Sequence, residues 1–448
     1  MSQQMKDIRD RQAQLQQMVE DMLREAADQG ASAAEAGVNF DVGLSVSVRL
    51  GEVETIEHTR DQGMAVSVYF GHRKGSASTS DFKPEAIRDT VRAACNIARF
   101  TTEDRYAGLA DAERMAQTQP DLDLYHPWDI GVEQAIAKGK ECEAAARDLD
   151  PRITNSEGAT LTSHTGLQVY GNSHGFIGGY PSSSHSLSCS VIGGEGASMQ
   201  RDYWYTSARS PAELESAQAV GRRAGERTLA RLGARQIKTC EAPVIFQAEM
   251  AVSLLRSLTG AISGSSLYRR SSFLLDQLEQ QIFPDFVHIH ENPLLPRGPA
   301  SAPFDSEGVA TAPKDLVRDG ILKSYLLSSY SARKLNLEST GNAGGVRNLS
   351  IDSGSMDLAE LLRQLGTGLL VTELMGSGLN MVTGDYSRGA AGFWVENGEI
   401  LYPVEEITIA GNMKQMFAGL QAVATDVDRR GNMRTGSWLL GPMMIAGS

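Results

Sequence analysis

The sequence predicts an α+β protein, in which an N-terminal α/β sandwich domain precedes a mixed, β-rich C-terminal domain with a curved or barrel-like sheet. Apolar residues recur at helical spacing in some segments and alternate at two-residue spacing in others, which favours a mixed fold. The second half contains many short apolar runs joined by glycine-rich turns, a pattern typical of a curved sheet. A chain of 448 residues with 41% hydrophobic content is long enough for several cores.

The N-terminal domain is expected to contain a helix, an antiparallel meander and a second helix. Apolar spacing of three and four residues indicates the helices, whereas alternation and intervening glycines indicate the strands. Pro84 fits the first turn of the second helix, because proline lacks only an N–H that is unpaired there anyway. The predicted elements are a helix at 3–29, strands at 42–50, 52–59 and 64–70, and a helix that begins after residue 81.

A connecting segment and a domain boundary are predicted next. Residues 101–130 show little pattern and are taken as the connecting segment. Helical spacing then predicts helices at 131–149 and 211–232, with strand-like pieces between 160 and 205. Gly233 and the polar residues after it interrupt the pattern. We therefore place the N-terminal domain at residues 1–237 and the C-terminal domain at residues 238–448.

The C-terminal domain is expected to be a set of short strands with a few helices. Asn397-Gly398 and Asp319-Gly320 predict hairpins, because both central residues of a type I′ turn need positive φ. A glycine-rich turn is predicted at 384–389, before an apolar run. Other predicted elements are a strand at 243–246, a helix at 247–262, strands at 321–328 and 406–409, and a short helix at 358–366.

Composition limits the classes of function. A net charge of −13 and a pI near 5.2 argue against a broad nucleic-acid-binding surface. The N-terminal residues contain many charged side chains and no apolar signal-peptide core, and no run approaches the length needed to span a bilayer. Cys95, Cys142, Cys189 and Cys240 are widely spaced, which is typical of reduced, mostly buried thiols. We therefore expect a cytoplasmic protein that binds neither nucleic acid nor membrane.

A resemblance to a known family is carried by segments along nearly the whole chain. TGDYSRGAAGFWVENGEILYPVEEITIAGN at 383–412 resembles the C-terminal signature of the TldD/PmbA (TldE) family. The resemblance favours the PmbA (TldE) branch. Family members have been called both metalloproteases and modulators of DNA gyrase. Further segments agree in order: RLGEVE at 49–54, RKGSAS at 73–78, NSHG at 172–175, PFDSEG at 303–308, SYSARK at 329–334 and TELMG at 372–376.

The resemblance also implies where a zinc site would lie. The TldD branch is expected to carry a His-Glu-x-x-x-His helix and a later cysteine, which by order would fall at 247–264 and at Thr435. The segment here reads QAEMAVSLLRSLTGAISG and contains no histidine; its carboxylate, Glu249, is expected on the helix surface. A threonine hydroxyl stays protonated near pH 7 and is a poor zinc ligand. The missing ligands therefore predict no catalytic residue, metal ligand or cofactor in this chain, and the resemblance implies zinc in a TldD-like partner.

Other sites are possible alternatives. His288 and His290 would lie on one face if their segment is a strand, close enough to hold a metal. His174 and His185 could also converge, although such residues more often have structural roles. The sequence contains no G-x-S-x-G elbow and no P-loop, which argues against a serine nucleophile on that motif and against a nucleotide cofactor.

A surface for an extended polypeptide is the remaining prediction. Peptides can add a strand to an exposed sheet edge, and glycine-rich segments allow close backbone approach. Arg388 could bind a terminal carboxylate through two parallel hydrogen bonds, or it could pair with Asp385 and stabilise its own turn. The predicted substrate-binding residues are Tyr268, Arg269, Gly344, Gly345, Glu373, Gly376, Asp385, Tyr386, Ser387 and Arg388.

The expected function follows from the resemblance and the missing ligands. The chain resembles a metal-free PmbA/TldE-like subunit of a TldD/TldE-type metallopeptidase, in a heterodimer that degrades or processes unfolded or leader-bearing peptides. One alternative is an autonomous metallopeptidase with an unconventional site near His288 and His290. Another alternative is a binding protein that modulates DNA gyrase without proteolysis.

Overall fold

The computed structural model describes residues 3–448. The N-terminal half is a twisted antiparallel sheet in the order β3-β2-β1-β4-β5-β6, with helices packed on it. Its strands are β1 (Ala33–Arg49), β2 (Glu52–Phe70), β3 (Arg73–Thr79), β4 (Ile153–Asn172), β5 (Ile177–Gly193) and β6 (Gln200–Ala208). Its helices are α1 (Gln3–Asp28), α2 (Pro84–Phe100), α3 (Val132–Arg147) and α4 (Ala217–Ala230).

Two cores lie side by side on one face of this sheet. Ala36 and Val38 of β1 pack with α1 and α2, whereas Leu44 and Val46 of the same strand pack with α3 and α4. These residues all have even numbers, and β1 and β2 pair without a register shift across this stretch, so the side chains point to one face. The opposite face of the sheet is therefore left for contacts with the C-terminal half.

The predicted meander is confirmed, but one of its breaks is wrong. Residues 52–59 and 64–70 belong to a single strand, β2, and the break expected at Gly63 does not occur. Gly63 pairs with Asn39 inside the ladder, because the neighbouring strand β1 is long enough to continue the hydrogen bonding. The glycine is thus a strand residue without a side chain, and it does not form a turn.

The connecting segment links the two halves through small apolar contacts. Between α2 and α3 the regular structure is a 3-10 turn at Ala112–Arg114. Met115 and Ala116 pack with Phe304 and Val309 of the C-terminal half. The predicted boundary between residues 237 and 238 lies between α4 and the next strand, and it stays a prediction.

The C-terminal half is built around a closed barrel. The strands run β14-β13-β12-β7-β17, and β17 pairs back onto β14 through Ile409 and Ile445, so the predicted barrel-like sheet is confirmed. A smaller sheet has the order β10-β9-β8-β11-β16. The strands are β7 (Cys240–Phe246), β8 (Ile289–Glu291), β9 (Lys314–Arg318), β10 (Ile321–Leu322), β11 (Leu349–Ile351), β12 (Gly368–Met375), β13 (Asp385–Glu396), β14 (Glu399–Asn412), β15 (Leu420–Val423), β16 (Met433–Arg434) and β17 (Trp438–Ala446). The helices are α5 (Ala248–Ala261), α6 (Gly264–Tyr268), α7 (Ser329–Leu335), α8 (Leu358–Leu365) and α9 (Met413–Ala418).

The hairpins predicted from dipeptides are confirmed. Asn397 and Gly398 have φ of 53° and 79° and join β13 to β14, and Asp319 and Gly320, with φ of 51° and 73°, join β9 to β10. The glycine-rich turn predicted at 384–389 is wrong. Residues 385–389 form the start of β13, because they pair with the end of β14.

Two further sequence predictions concern burial. Cys95, Cys142 and Cys189 are buried and Cys240 is half-buried, which confirms mostly buried thiols, and all of them are free. Within residues 3–448, none of the helices combines the length and the apolar character that crossing a membrane requires.

Candidate functional site

A cleft of about 670 Å³ lies between the helix-free face of the N-terminal sheet and the C-terminal half. Its floor belongs to β1–β5, and its opposite wall to segments around Phe304 and Arg347. Pockets of this volume hold ligands as large as a short stretch of extended peptide. We call it the sheet cleft, and the residues that define it here are Gly37, Asn39, Gly63, Ala65, Ser78, Gln168, Tyr180, Phe304, Ser306 and Arg347.

The floor of the sheet cleft includes a row of small side chains in register. Gly37 of β1 pairs with Ala65 of β2, and Ala65 pairs with Ser78 of β3, so one row crosses three strands. Glycine inside a strand costs roughly 0.5–1 kcal/mol relative to alanine. A Cβ added at Gly37 would meet only the carbonyl oxygen of Val169, at 3.8 Å, which is ordinary contact. Packing does not require a glycine here, so its effect is to keep the floor open.

The opposite wall is organised by a buried carboxylate. Oδ1 of Asp305 accepts hydrogen bonds from the backbone N–H groups of Glu307 (2.9 Å) and Val309 (3.0 Å), and Oδ2 accepts one from Ala343 (2.9 Å). Burial raises the pKa of Asp305 to about 6, the charge of Glu307 adds to the rise, and the three N–H groups oppose it. Asp305 thereby joins its own turn to the loop that contains Ala343.

A second buried carboxylate positions the arginine of the cleft. Glu291 accepts hydrogen bonds from the side chain of Asn342 (3.0 Å) and the backbone N–H of Arg347 (2.5 Å), and it pairs with Lys314 at 3.3 Å. The guanidinium of Arg347 lines the cleft, and its buried Nε has no hydrogen-bond partner within residues 3–448. Gly344 lies against the same wall, where a Cβ would approach Ser306 Oγ to 2.4 Å.

A second, smaller cavity of about 290 Å³ lies at the first turns of α5. It is bounded by β6, by α5, by the strands β12 and β13, and by residues 428–433. We call it the arginine cavity, and its lining includes Tyr203, Tyr205, Glu249, Met250, Ser253, Arg256, Leu374, Arg388, Asp428, Arg430, Asn432 and Met433.

Glu249 is the centre of an ion-pair network beside this cavity. Its Oε1 lies 2.9 Å from Nη1 of Arg227 and 3.2 Å from Nη2 of Arg430. Arg430 also pairs with Asp428 at 2.9 Å, and its guanidinium lies 3.8 Å from the ring centre of Trp204. The Glu249 side chain is 14% exposed. The expectation that Glu249 lies on a helix surface is therefore wrong, because arginines of α4 and of the segment before β16 cover it.

The threonine that takes the place of the expected cysteine has a structural role. Thr435 is fully buried. Its Oγ1 accepts a hydrogen bond from Trp438 Nε1 (2.7 Å) and donates one to the Gly436 carbonyl (2.8 Å). Close by, Ser437 Oγ accepts from the N–H of Ala248 (3.0 Å) and donates to Asp426 (2.6 Å). The Ser437 hydroxyl thus joins the start of α5 to the segment before β17, whereas the Thr435 hydroxyl bonds only within residues 435–438.

The residues at α5 do not fit a zinc ion. Zinc sites in proteins use thiolates, neutral imidazoles and carboxylates. The carboxylate of Glu249 is already bound by two guanidinium groups, which would repel a cation. Thr435 offers a protonated hydroxyl that is already hydrogen-bonded. Within residues 3–448, no group of three or more His, Cys, Asp or Glu side chains is arranged to hold a metal.

The histidines considered as alternatives have different partners. His288 lies 3.7 Å from Asp319, and His290 lies 3.5 Å from Asp352, so they share no common carboxylate. His185 is buried, and its ring nitrogens contact Ser163 Oγ (3.0 Å) and the carbonyl oxygen of His126 (2.8 Å). Burial lowers the pKa of His185. Both ring nitrogens of His185 are used, which leaves none for a metal.

The predicted substrate-binding residues fall in three places. Gly344 and Gly345 lie in the loop that borders the sheet cleft. Tyr268 and Arg269 lie at the end of α6, where the Tyr268 ring is 5.9 Å from that of Tyr330. The third group surrounds β12 and the start of β13, and it consists of Glu373, Gly376, Asp385, Tyr386, Ser387 and Arg388.

Within the third group the side chains have different surroundings. Glu373 forms an ion pair with Arg231. Hydrogen bonds from Thr383 and Asn412 lower the pKa of the exposed Asp385, which does not pair with Arg388. The Asp385–Arg388 pair considered as an alternative is therefore wrong.

The strand that carries these residues offers no free edge. β13 lies between β12 and β14, and the N–H of Ser387 donates to the carbonyl of Gly378 at 2.7 Å. A peptide cannot add to β13, because its own chain already occupies both sides. Tyr386 is buried against Phe246, and burial raises the pKa of its hydroxyl to about 12, while the charge of Arg388 opposes the rise.

Sequence reasoning missed the floor of the sheet cleft and most of the arginine cavity. The floor had a usable signal, since Gly37, Gly63 and Ala65 are small residues at alternate positions of predicted or adjacent strands. The cavity had none, because Arg256 and Arg430 are ordinary surface-type residues far apart in sequence.

Comparison with known proteins covers almost the entire chain. Residues 34–98 match the PmbA/TldA metallopeptidase domain 1, residues 125–232 the central domain and residues 239–447 the C-terminal domain. The chain is 51% identical over 423 residues to "Metalloprotease PmbA" of Escherichia coli O157:H7, covering 94% of both chains.

Solved structures share the fold over 96% of this chain. A putative modulator of DNA gyrase from Bacteroides thetaiotaomicron has a TM-score of 0.92 at 26% identity, covering 96% of this chain and 98% of that one. TldE from Thermococcus kodakarensis has a TM-score of 0.83 at 20% identity, covering 96% of this chain and 100% of that one. At that identity the second likeness concerns the fold alone.

Proposed function

The chain belongs to the PmbA/TldA metallopeptidase family, and from that premise we propose that it is a metal-free, TldE-like subunit of a heterodimeric metallopeptidase. A homologous, TldD-like partner supplies the zinc. This chain supplies a surface that holds unfolded or leader-bearing peptides in an extended form. Its acidic composition and free thiols favour a cytoplasmic location.

The observation that carries the metal-free assignment is the state of Glu249. Two guanidinium groups, from Arg227 and Arg430, bind the carboxylate that begins α5. A cation placed there would face like charges at close range and would have no imidazole or thiolate to bind it. The ion pairs thus serve the packing of α4, α5 and the segment before β16, in place of metal chemistry.

The sheet cleft supports the role in peptide binding. The floor residues are uncharged and include a row of small side chains, which suits a backbone of any sequence, and the cleft excludes a folded domain by its size of about 670 Å³. Because β13 has no free edge, the proposal places the peptide across the floor of the cleft.

The test compares the chain alone with the chain and a TldD-type partner from the same genome. We expect no cleavage of an unstructured peptide by the chain alone, and chelator-sensitive cleavage by the complex. Metal analysis should find zinc in the complex and none retained by the isolated chain. Chelator-sensitive cleavage by the isolated chain, with zinc bound in near-equal amount, would overturn the proposal.

A matched variant separates the autonomous-enzyme alternative. His290→Ala removes an imidazole that lies outside both the sheet cleft and the arginine cavity. We expect the His290→Ala complex to cleave peptide at the wild-type rate with unchanged zinc content. Loss of both zinc and activity in this variant would favour the unconventional site near His288 and His290.

A further inference from the structure

The arginine cavity contains more positive than negative charge. Among the described residues, its charged lining consists of Arg256, Arg388, Arg430, Glu249 and Asp428. Both carboxylates are occupied, because Glu249 binds Arg430 and an arginine of α4, and Asp428 accepts two hydrogen bonds from Arg430. Arg256 and Arg388 have no carboxylate partner within residues 3–448. In a chain with a net charge of −13, this is a local excess of positive charge.

The guanidinium groups of Arg430 and Arg388 have few partners of their own. Arg430 Nη1 is buried and has no hydrogen-bond partner within the part of the chain that the structure describes, and the polar neighbour of the Arg388 guanidinium there is the buried hydroxyl of Tyr386. A buried donor that stays unpaired is costly, and more so when its group is charged. An anion with two coplanar oxygens would satisfy such donors, since guanidinium and carboxylate groups match in geometry.

The size and the remaining lining favour the end of a chain over its middle. A volume of about 290 Å³ is at the lower limit of ligand pockets and fits one or two residues. Met250, Leu374 and Met433 add apolar surface beside the guanidinium groups. A carboxylate next to an apolar side chain is the chemistry of a peptide's C-terminal residue.

We propose that the arginine cavity binds the C-terminal carboxylate of an oligopeptide, with Arg388 as the main ligand and Arg256 as a second cation at the mouth. The cavity lies on α5, the helix to which the family resemblance assigns metal ligands in the other branch. The inference rests on the proposed function only for the peptide nature of the ligand, whereas the carboxylate chemistry follows from the cavity itself.

Calorimetric titration of the isolated full-length chain tests the assignment. The probes are a blocked tetrapeptide, N-acetyl-Ala-Gly-Ala-Leu, with a free C-terminal carboxylate, and the same peptide as its C-terminal amide. We expect the acid to bind roughly tenfold more tightly than the amide, as one charge-assisted pair would provide. A blocked amide peptide with an internal glutamate should bind like the plain amide.

Variants identify the cavity as the site. Arg388→Gln should weaken binding of the acid roughly tenfold and remove the preference over the amide. Arg388→Lys, which keeps the charge but not the planar pair of donors, should restore part of the preference. Arg256 is exposed, so the Arg256→Gln variant should fold normally, and its affinity for the acid peptide should fall by about threefold. Arg92→Gln, an exposed arginine of α2, is the matched control and should bind like the wild type.

Several results would overturn the inference. Equal affinity of the wild type for the acid and the amide would show that the cavity does not recognise a carboxylate. Tight binding of the internal-glutamate peptide would show that the recognised carboxylate need not be at the C-terminus. An acid preference that persists in both Arg388→Gln and Arg256→Gln would move the site elsewhere. Because the isolated chain is titrated without cleavage, these results are independent of whether the complex acts as a peptidase.

Discussion

The sheet cleft and the arginine cavity are neighbouring openings, but the side chains that line them differ in chemistry. The cleft has an uncharged floor that includes a row of glycine, alanine and serine, whereas the cavity is lined by arginines and their carboxylate partners. The two are neighbours, since Asn432 of the cavity donates a hydrogen bond to the carbonyl of Arg347 of the cleft (3.2 Å). Small neutral groups accept any backbone, and fixed charges select one chemical group. The difference indicates that one region provides room and the other provides selectivity.

The largest effect is expected where charge organises the cavity. Arg430→Met removes a side chain that is 11% exposed and pairs with both Glu249 and Asp428. It also removes the contact of the guanidinium with Trp204. Glu249 keeps Arg227, but the Asp428 carboxylate, which is 13% exposed, loses its cationic partner, so urea unfolding should show a loss of about 3–5 kcal/mol.

The matched control for this variant is Arg92→Met, whose side chain is exposed on α2. We expect it to change stability by less than about 0.5 kcal/mol. If Arg430→Met were as mild as Arg92→Met, the cavity would not depend on its ion pairs and the contrast with the cleft would disappear.

A pH-dependent effect of similar size is expected in the cleft wall. Burial raises the pKa of Asp305 from 3.8 to about 6 in the folded chain. The folded state therefore binds more protons than the unfolded state between these values, and the contribution of Asp305 to stability falls as pH rises through this window. Two pKa units correspond to about 3 kcal/mol.

Comparison with Asp305→Asn isolates this group from the other carboxylates. From about pH 4 to about pH 6, the stability of the wild type relative to the variant should fall by about 3 kcal/mol, and then stay constant to pH 7. Urea unfolding at several pH values measures it. A constant difference, or one that grows with pH, would contradict the buried charge.

A larger side chain on the floor of the sheet cleft should lower peptide cleavage without lowering the stability of the fold. Gly37→Val places a branched side chain on the floor of the sheet cleft, where a Cβ has only ordinary contact with Val169. The strand should gain roughly 0.5–1 kcal/mol from the loss of glycine. Peptide cleavage by the complex should fall about tenfold, because the floor is no longer open.

Ser45→Val is the matched control on the same strand and face, outside the lining of the cleft. It should leave the kcat/KM of the complex unchanged. Equal loss of activity in both variants would show that any valine on this face of β1 lowers activity. Unchanged activity in Gly37→Val would show that the sheet cleft does not bind the substrate.

The smallest effect should come from salt. Raising the ionic strength from about 0.1 M to about 1 M shortens the Debye length from about 10 Å to about 3 Å. Binding of a terminal carboxylate in the arginine cavity should weaken several-fold, whereas binding of a C-terminal amide peptide should change little. Calorimetric titration at both salt concentrations measures the two affinities. If both fell by the same factor, the arginine cavity would not bind the terminal carboxylate through its charge.

Local signals explain which parts of the fold were predictable. The helix at α5 and the hairpin at Asn397-Gly398 are confirmed, because spacing and turn chemistry act within a few residues. The break expected at Gly63 is wrong, since a long neighbouring strand outweighs the low strand preference of one glycine. The turn expected at 384–389 is wrong for the same reason, as β14 pairs with those residues.

The sites depended on contacts that sequence spacing does not reveal. Arg227, Glu249 and Arg430 meet only after α4, α5 and the segment before β16 have packed. The row of small residues in the cleft required the register of three strands. The roles assigned to Tyr268, Gly344 and the residues around Arg388 stay predictions. The lack of histidine at 247–264, in contrast, can be read directly from the sequence.

Barrel closure has a consequence for how the protein is made. Trp438–Ala446 pairs with Cys240–Phe246 on one side and with the end of β14 on the other. All elements of the N-terminal sheet precede this strand and can assemble while synthesis continues. The barrel cannot close until its last strand has emerged from the ribosome, so its unpaired strands are exposed during that interval. The C-terminal half therefore exposes unpaired strand edges for longer during synthesis than the N-terminal sheet does.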